Sequence, residues 1–213
     1  MTKQLHIGLS LTPTWLKART AEDPDARPTR DPVEFNLALT RMAERAKLDF
    51  VFKPDYLMLH PGMGRGFVGL DPTLLLTAIA RETQTIGIVT TVSTSFNPPY
   101  VVARQIQSLH WISRGRAGLN IVTSIKGAQN FGDEPMPPPD IRYRKAAEFT
   151  QVMRRLWQSY PHEALTGAAP SAAIDHRGEF FSVTGPLNVP GHAAGPPPLF
   201  QAGASDIGRD FAS

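Results

Sequence analysis

The chain has 213 residues, 41% of them hydrophobic and 19% charged, with a net charge of +3. That length can bury one core, but a complete eight-stranded β/α barrel typically takes roughly 250 residues. Basic residues are scattered, which argues against nucleic acid as the main partner, and without cysteine no disulfide, thiolate nucleophile or thiolate metal site can form. The first eleven residues lack a long apolar signal core, and no apolar run reaches membrane-spanning length. A cytoplasmic protein with no membrane partner is expected.

In chain order, residues 5–9 form a short apolar run suited to a buried strand. Asp31-Pro32-Val33-Glu34 reads as a helix start, with Asp as N-cap, Pro at N1 and Glu at N3. Phe35, Ala38, Leu39, Met42, Ala43 and Ala46 then recur at helical spacing. A second strand opens over 50–52 and is closed by Pro54. Asp71-Pro72 repeats the cap chemistry before an apolar helix, and 86–92 is a β-branched third strand. Asn97-Pro98 starts a third helix, which stops at Gly115. Residues 117–122 read as a fourth strand with the polar cluster Asn120, Thr123 and Ser124 at its far end. The clearest helix spans 142–160, where Phe149, Val152, Met153, Leu156, Trp157 and Tyr160 form a core stripe. A hairpin excursion follows within about 164–197, its strands over 174–183. Residues 199–202 suggest a fifth parallel strand, and Ser205-Asp206 a last helix.

Regular alternation of strand and helix predicts an α/β fold with a parallel sheet and covering helices. Five such units plus the hairpin give an incomplete TIM-barrel, (β/α)8-type domain over 1–213. Five strands leave two sheet edges to be paired elsewhere or exposed.

Polar residues collect after the strands: Asp55, Thr91 and Ser93, Asn120 and Thr123, and Ser205. In a barrel that end is the ligand-binding mouth, although each residue taken singly reads as a turn or cap. Pro61-Gly62-Met63-Gly64-Arg65-Gly66 sits several residues beyond its strand, so it reads as a mouth loop rather than a dinucleotide fingerprint. The six histidines show no metal-ligand spacing, and no Gly-x-Ser-x-Gly elbow is present. His60 lies near the expected mouth, where a solvated loop histidine is the plainer reading.

Six segments stand out together: Thr90-Thr-Val-Ser-Thr-Ser-Phe-Asn-Pro-Pro-Tyr100-Val-Val-Ala-Arg104, Gly115-Arg-Ala-Gly-Leu-Asn-Ile-Val-Thr-Ser124, Asn130-Phe-Gly, Arg142-Tyr143, Phe181-Ser-Val-Thr-Gly-Pro-Leu-Asn188 and Gln201-Ala-Gly-Ala-Ser-Asp-Ile-Gly-Arg209. Their wording is similar to the bacterial-luciferase-like flavin monooxygenases, in the branch of nitrilotriacetate, EDTA, dibenzothiophene-sulfone and pristinamycin-type enzymes. The resemblance covers nearly the whole chain, which stops in the middle of the family pattern and so reads as its N-terminal part.

The resemblance implies FMN as cofactor, with Asp55, Thr91 and Tyr143 at the flavin and Ser205 at its phosphate. A helix start after Gly203 also suits an anion, and a plain N-cap role for Ser205 is compatible with that. The implied activity is oxygenation of a small organic substrate by reduced FMN (FMNH2) and O2, with cleavage of a C–N or C–S bond. The implied partner is a separate NAD(P)H-dependent flavin reductase, and homo-oligomers are compatible with the resemblance. The catalytic residues and the substrate are not identified. Four departures stand out. Lys53-Pro54 replaces the family's Leu-Ala before the Asp. Pro139 replaces a flavin-binding His four residues before Tyr143. Leu119 replaces a Trp, and His110-Trp111 replaces an Asp-His pair; these last two suggest either a reshaped pocket or relaxed selection. Two other readings remain open: a truncated barrel that binds or assembles without turnover, and a hydride-transfer enzyme using the deazaflavin F420.

Overall fold

The computed structural model describes residues 5–11, 31–59, 69–203 and 205–212. In order they form β1 (Gly8–Ser10), α1 (Pro32–Arg45), β2 (Phe50–Lys53), α2 (Pro72–Arg81), β3 (Gly87–Ser93), α3 (Pro99–Ile112), β4 (Ala117–Val122), α4 (Pro139–Ser159), β5 (His176–Arg177), β6 (Ser182–Val183), β7 (Leu199–Phe200) and α5 (Asp206–Ala212). Five parallel strands make one sheet in the order β1-β2-β3-β4-β7. The antiparallel β5–β6 pair stands apart from it.

Two helix starts rest on the chemistry read from sequence. Asp31 Oδ1 accepts from the backbone N–H of Val33 at 2.8 Å and of Glu34 at 3.2 Å. Asp71 Oδ1 accepts from Leu74 N–H at 2.9 Å. Each satisfies donors that a helix leaves orphaned and contributes about 1 kcal/mol.

Strand alternation sorts the side chains into two faces. Thr90 Oγ1 lies 3.0 Å from Thr73 Oγ1 on α2, so Thr90 faces the helices and Thr91 faces away. In β4, Leu119 and Ile121 join a core with Ile106 of α3 and Phe149, Met153 and Leu156 of α4. Asn120 and Gly118 therefore face away as well. A second core joins Val51 and Ile88 to Leu37 of α1 and Leu76 and Ile79 of α2.

The face turned away from the helices is concave. Strands β2 and β7 are separated by β3 and β4, a gap of roughly 14 Å in a flat sheet. Yet the rings of Phe50 and Phe200 meet with centroids 5.3 Å apart. The sheet must curl toward that face, as the wall of a barrel does. Glycines make room for these rings: a Cβ at Gly8 would overlap the Phe50 ring, and one at Gly118 would lie 2.9 Å from that of Phe200. Among the described residues the wall stays open, with β1 and β7 as its edges.

The end opposite the mouth is tied by two polar hubs. The Arg116 guanidinium donates to the carbonyls of Ser113, Ile86, Ala80 and Thr83 at 2.6–3.0 Å, and to Thr83 Oγ1 at 3.2 Å. Glu44 Oε1 accepts from the N–H groups of Gln84, Thr85 and Ile86 and from the Thr85 hydroxyl. Burial opposes ionisation of Glu44, but those donors outweigh it and bring its pKa down to about 2.

Some expectations need correction. The first strand is Gly8–Ser10 rather than 5–9. Leu5 and Ile7 precede the strand and are 79% and 54% exposed. The third helix begins at Pro99 with no side-chain cap, and Asn97 instead donates to Ser93 O at 2.8 Å. The long helix begins at Pro139 rather than Arg142, since proline at N1 suits a helix start. Leu119, fully buried against the helices, is a core residue and does not shape the concave face. The Pro61–Gly66 loop and His60 lie outside the described residues.

Candidate functional site

The strands run parallel, so their C-terminal ends share one rim. Across that rim Thr91 pairs in register with Asn120, and Asn120 Nδ2 donates to Thr91 Oγ1 at 3.2 Å. Both residues are under 5% exposed. One step higher, Ser124 Oγ bonds Ser93 Oγ at 2.8 Å. Ser124 itself takes a left-handed φ of 38°. Arg142 holds that bend by donating to the carbonyls of Thr123 and Ser124. The mouth loops are also tied together: Asn130 Nδ2 donates to Leu57 O at 2.8 Å, and Phe96 stacks on Phe131 with ring centroids 4.3 Å apart.

A second polar corner forms where α4 meets the turn after β7. Tyr143 lies in the first turns of α4, its ring edge-on to Phe211 of α5. A Cβ at Gly208 would sit 3.0 Å from Tyr143 Oη and 3.1 Å from Ser205 Oγ, and one at Gly203 would sit 3.3 Å from Tyr143 Oη. The two hydroxyls and the Gln201 amide thus line a small cradle over Gly208, while the Gln201 amide itself fills the space beside Gly203, where a Cβ would overlap it. Ser205 Oγ also accepts from Gly208 N–H at 3.2 Å, so it serves as the N-cap as well.

Asp55 lies just past the end of β2 and is half-buried. Burial pushes its pKa up, and the nearby Asp71 carboxylate adds to this. The Tyr56 N–H and the Lys53 ammonium pull it the other way. Lys53 is only 4% exposed and donates to Leu11 O at 3.1 Å. Its own pKa is lowered by burial, against the attraction of Asp55.

Of the residues singled out from sequence, Tyr143 and Ser205 are brought together, and Thr91 acquires Asn120 as partner. Asp55 stands at the adjacent strand end, where Lys53 and Asp71 are the charges around it. Pro139 is N1 of α4, so that position donates nothing. Sequence reasoning missed Gln201 and Lys53, though both stood in segments it had singled out. No group of three or more His, Asp or Glu that could hold a metal occurs among the described residues. Two outer grooves, of about 540 Å³ beside Tyr100 and the β6 turn and about 400 Å³ between α2 and α3, include none of the four expected site residues.

A curled parallel sheet with a polar rim at its C-terminal strand ends has the layout of a β/α-barrel wall, the end at which such barrels place their ligand sites. The comparisons carry this further. Residues 12–213 match the luciferase-like monooxygenase family, and the chain belongs to that family. It is 36% identical to nitrilotriacetate monooxygenase component A of Aminobacter aminovorans, over 99% of this chain and 52% of that one. It superposes on EDTA monooxygenase from Chelativorans with a TM-score of 0.84 and 34% identity, over 99% of this chain and 52% of that one. A riboflavin lyase solved with modified FMN and riboflavin gives a TM-score of 0.79 and 32% identity, with the same coverage. The chain spans about half the length of these relatives.

Proposed function

We propose that this chain carries the flavin-binding wall of an FMNH2-dependent monooxygenase that uses O2 to oxygenate a small organic substrate, with cleavage of a C–N or C–S bond. The observation that carries the reading is the cradle over Gly208, where the Tyr143 and Ser205 hydroxyls and the Gln201 amide converge. Family membership supports it, and so does the FMN bound in the riboflavin lyase.

When bound, FMN supplies the activation of oxygen that side chains lack. The protein supplies position and exclusion of water. Tyr143 Oη and Ser205 Oγ would donate to the phosphate beside the Gln201 amide, and the missing Cβ of Gly208 would let it approach. Thr91 and Asn120 offer hydrogen bonds from the rim to the ring system, and Asp55 offers an acceptor. Phe50, Phe52 and Phe200 give the concave face an apolar floor, which keeps water from the reacting atoms. A separate NAD(P)H-dependent flavin reductase delivers the reduced cofactor.

The test is a titration of the monodisperse chain with oxidised FMN and, anaerobically, with reduced FMN, followed by flavin fluorescence and absorbance. Saturable one-to-one binding is expected. A folded chain that binds neither form would overturn the reading.

The sheet edges left open among the described residues favour a second reading, in which the chain binds flavin without turning over. Binding without product, in the presence of a reductase, O2 and candidate substrates, would select it.

A further inference from the structure

The buried stripe of α4 changes character at its mouth end. Ala146, Phe149, Val152, Met153 and Leu156 are buried, and the same helical spacing carried back toward the start of the helix reaches Arg142 and Lys145. Both cations donate to main-chain carbonyls at the strand ends. Arg142 Nη1 donates to the carbonyls of Thr123 and Ser124, after β4. Lys145 Nζ donates to Ser95 O, after β3, at 2.7 Å, with its ammonium 5.9 Å from the centre of the Phe181 ring. The two turns are themselves joined. Ser124 Oγ donates to Ser93 Oγ at 2.8 Å, Ser95 Oγ to Thr123 O at 2.7 Å, and Thr94 N–H to Val122 O at 2.9 Å. Ser93 follows Thr91 by two residues in β3 and so shares its concave face. The start of α4 is thus tied to the sheet one step beyond the Thr91–Asn120 pair.

Tyr143 stands between these two anchors, one residue after Arg142. Its ring meets Phe211 and its hydroxyl borders the cradle over Gly208. A ligand held by both rim and cradle meets two sites at a fixed spacing. The second contact adds to the first only if that spacing matches the ligand.

We propose that Arg142 and Lys145 are positioning residues: their bonds to the turns after β4 and β3 set the distance between the Thr91–Asn120 rim and the Tyr143–Ser205 cradle, so that one ligand engages both. That the ligand is FMN, with its ring at the rim and its phosphate at the cradle, rests on the function proposed above; the clamp on α4 does not.

The test compares FMN with riboflavin, which carries the same ring and lacks the phosphate. The wild type should bind FMN about a hundredfold tighter, as expected when two hydroxyls donate to a charged group. Equal affinities in the wild type would remove the phosphate from the cradle and overturn the two-site pose. Arg142→Met keeps a long apolar stem and removes the donors, while the Thr91–Asn120 bond does not involve Arg142. It should leave riboflavin affinity within about twofold and cut the FMN advantage to about tenfold or less. Arg142→Lys, whose nitrogen can serve both carbonyls, should restore most of that advantage. A merely structural role would weaken both ligands alike and leave their ratio unchanged, which overturns the proposal.

A second readout needs no ligand. The chain has no cysteine, so spin labels can be placed at Ile125→Cys, just past β4, and Gln151→Cys, on the exposed side of α4. The distance distribution between them, by double electron–electron resonance, should broaden in Arg142→Met and narrow again in Arg142→Lys. An unchanged width overturns the clamp. A broadened distribution in a chain that binds neither flavin supports the clamp and overturns the flavin reading instead. If Arg142→Met does not fold, Lys145→Met gives both measurements through the turn after β3, and an unmoved ratio and width overturn the proposal.

Discussion

Ser205 shows how one side chain can carry a structural role and a candidate ligand role together. Its Oγ caps α5 through Gly208 N–H while bordering the cradle that Tyr143 closes. The two roles separate by substitution. Aspartate is as good an N-cap as serine, so Ser205→Asp should leave the thermal midpoint within a degree or two. Its carboxylate would face the FMN phosphate, and affinity should fall at least about tenfold, equivalent to about 1.4 kcal/mol. Equal FMN affinity would leave Ser205 as a cap only. Tyr143→Phe keeps the ring on Phe211 and removes one donor. A loss of about 1 kcal/mol in FMN binding is expected, and an unchanged dissociation constant would reduce Tyr143 to packing. Thr91, Tyr143 and Ser205 stood out in the sequence because each sits in a short segment with family wording. Gln201 stood in such a segment too, but its approach to Gly203 depends on how the turn after β7 folds back. Lys53 was visible as a departure, while its burial depends on Leu11, 42 residues away.

Elements were legible where their signals are local. The Asp-Pro starts of α1 and α2 place a cap, a fixed φ and an apolar stripe within one turn, and both caps form. The edges of β1 and α4 were less legible, because strand ends depend on partners and the helix start on a Pro-rich loop whose path is not local. The closure of the N-terminal end was not legible at all. Arg116 draws carbonyls from the end of α2, the start of β3 and the end of α3, which lie far apart in sequence. Its planar guanidinium spreads five donors over these acceptors, whereas a lysine offers three from one point. Arg116→Lys should therefore destabilise the fold by about 2–3 kcal/mol, as expected when buried acceptors lose a charged donor. The measurement is the urea midpoint at constant slope. A loss below about 0.5 kcal/mol would mean that water replaces the lost donors and that Arg116 is no hub. The hairpin is similarly pinned to α4: Glu148 accepts from Phe180 and Phe181 N–H and from His176 Nε2. Arg155 Nη1 faces the other ring nitrogen at 3.4 Å. The carboxylate acceptor at Nε2 and the guanidinium donor at Nδ1 together orient the His176 ring, with Nε2 donating and Nδ1 accepting.

At the scale of the whole molecule, a sheet that curls without closing has unequal strands. Each of β3 and β4 lies between two neighbours, and their helix-facing side chains are almost wholly buried. Among the described residues, strands β1 and β7 have a neighbour on one side only, and β7 is two residues long. Backbone groups on an open edge exchange through local opening, while those of a central strand need near-global unfolding. Native-state hydrogen exchange should therefore rank the amides of β3 and β4 as most protected. Those of β1 and β7 should exchange at least about a hundredfold faster, a difference of about 2.7 kcal/mol in opening free energy. The concentration dependence gives the ranking its meaning. If β7 is as protected as β3 in a concentrated sample and loses that protection on dilution, a second copy covers the edge. Equal protection at every concentration would mean the edges are sealed within one chain, and the open-wall description would be wrong. The predicted ranking at all concentrations would make this chain an isolated barrel wall, and any flavin affinity it shows would then arise from the rim and cradle it carries itself.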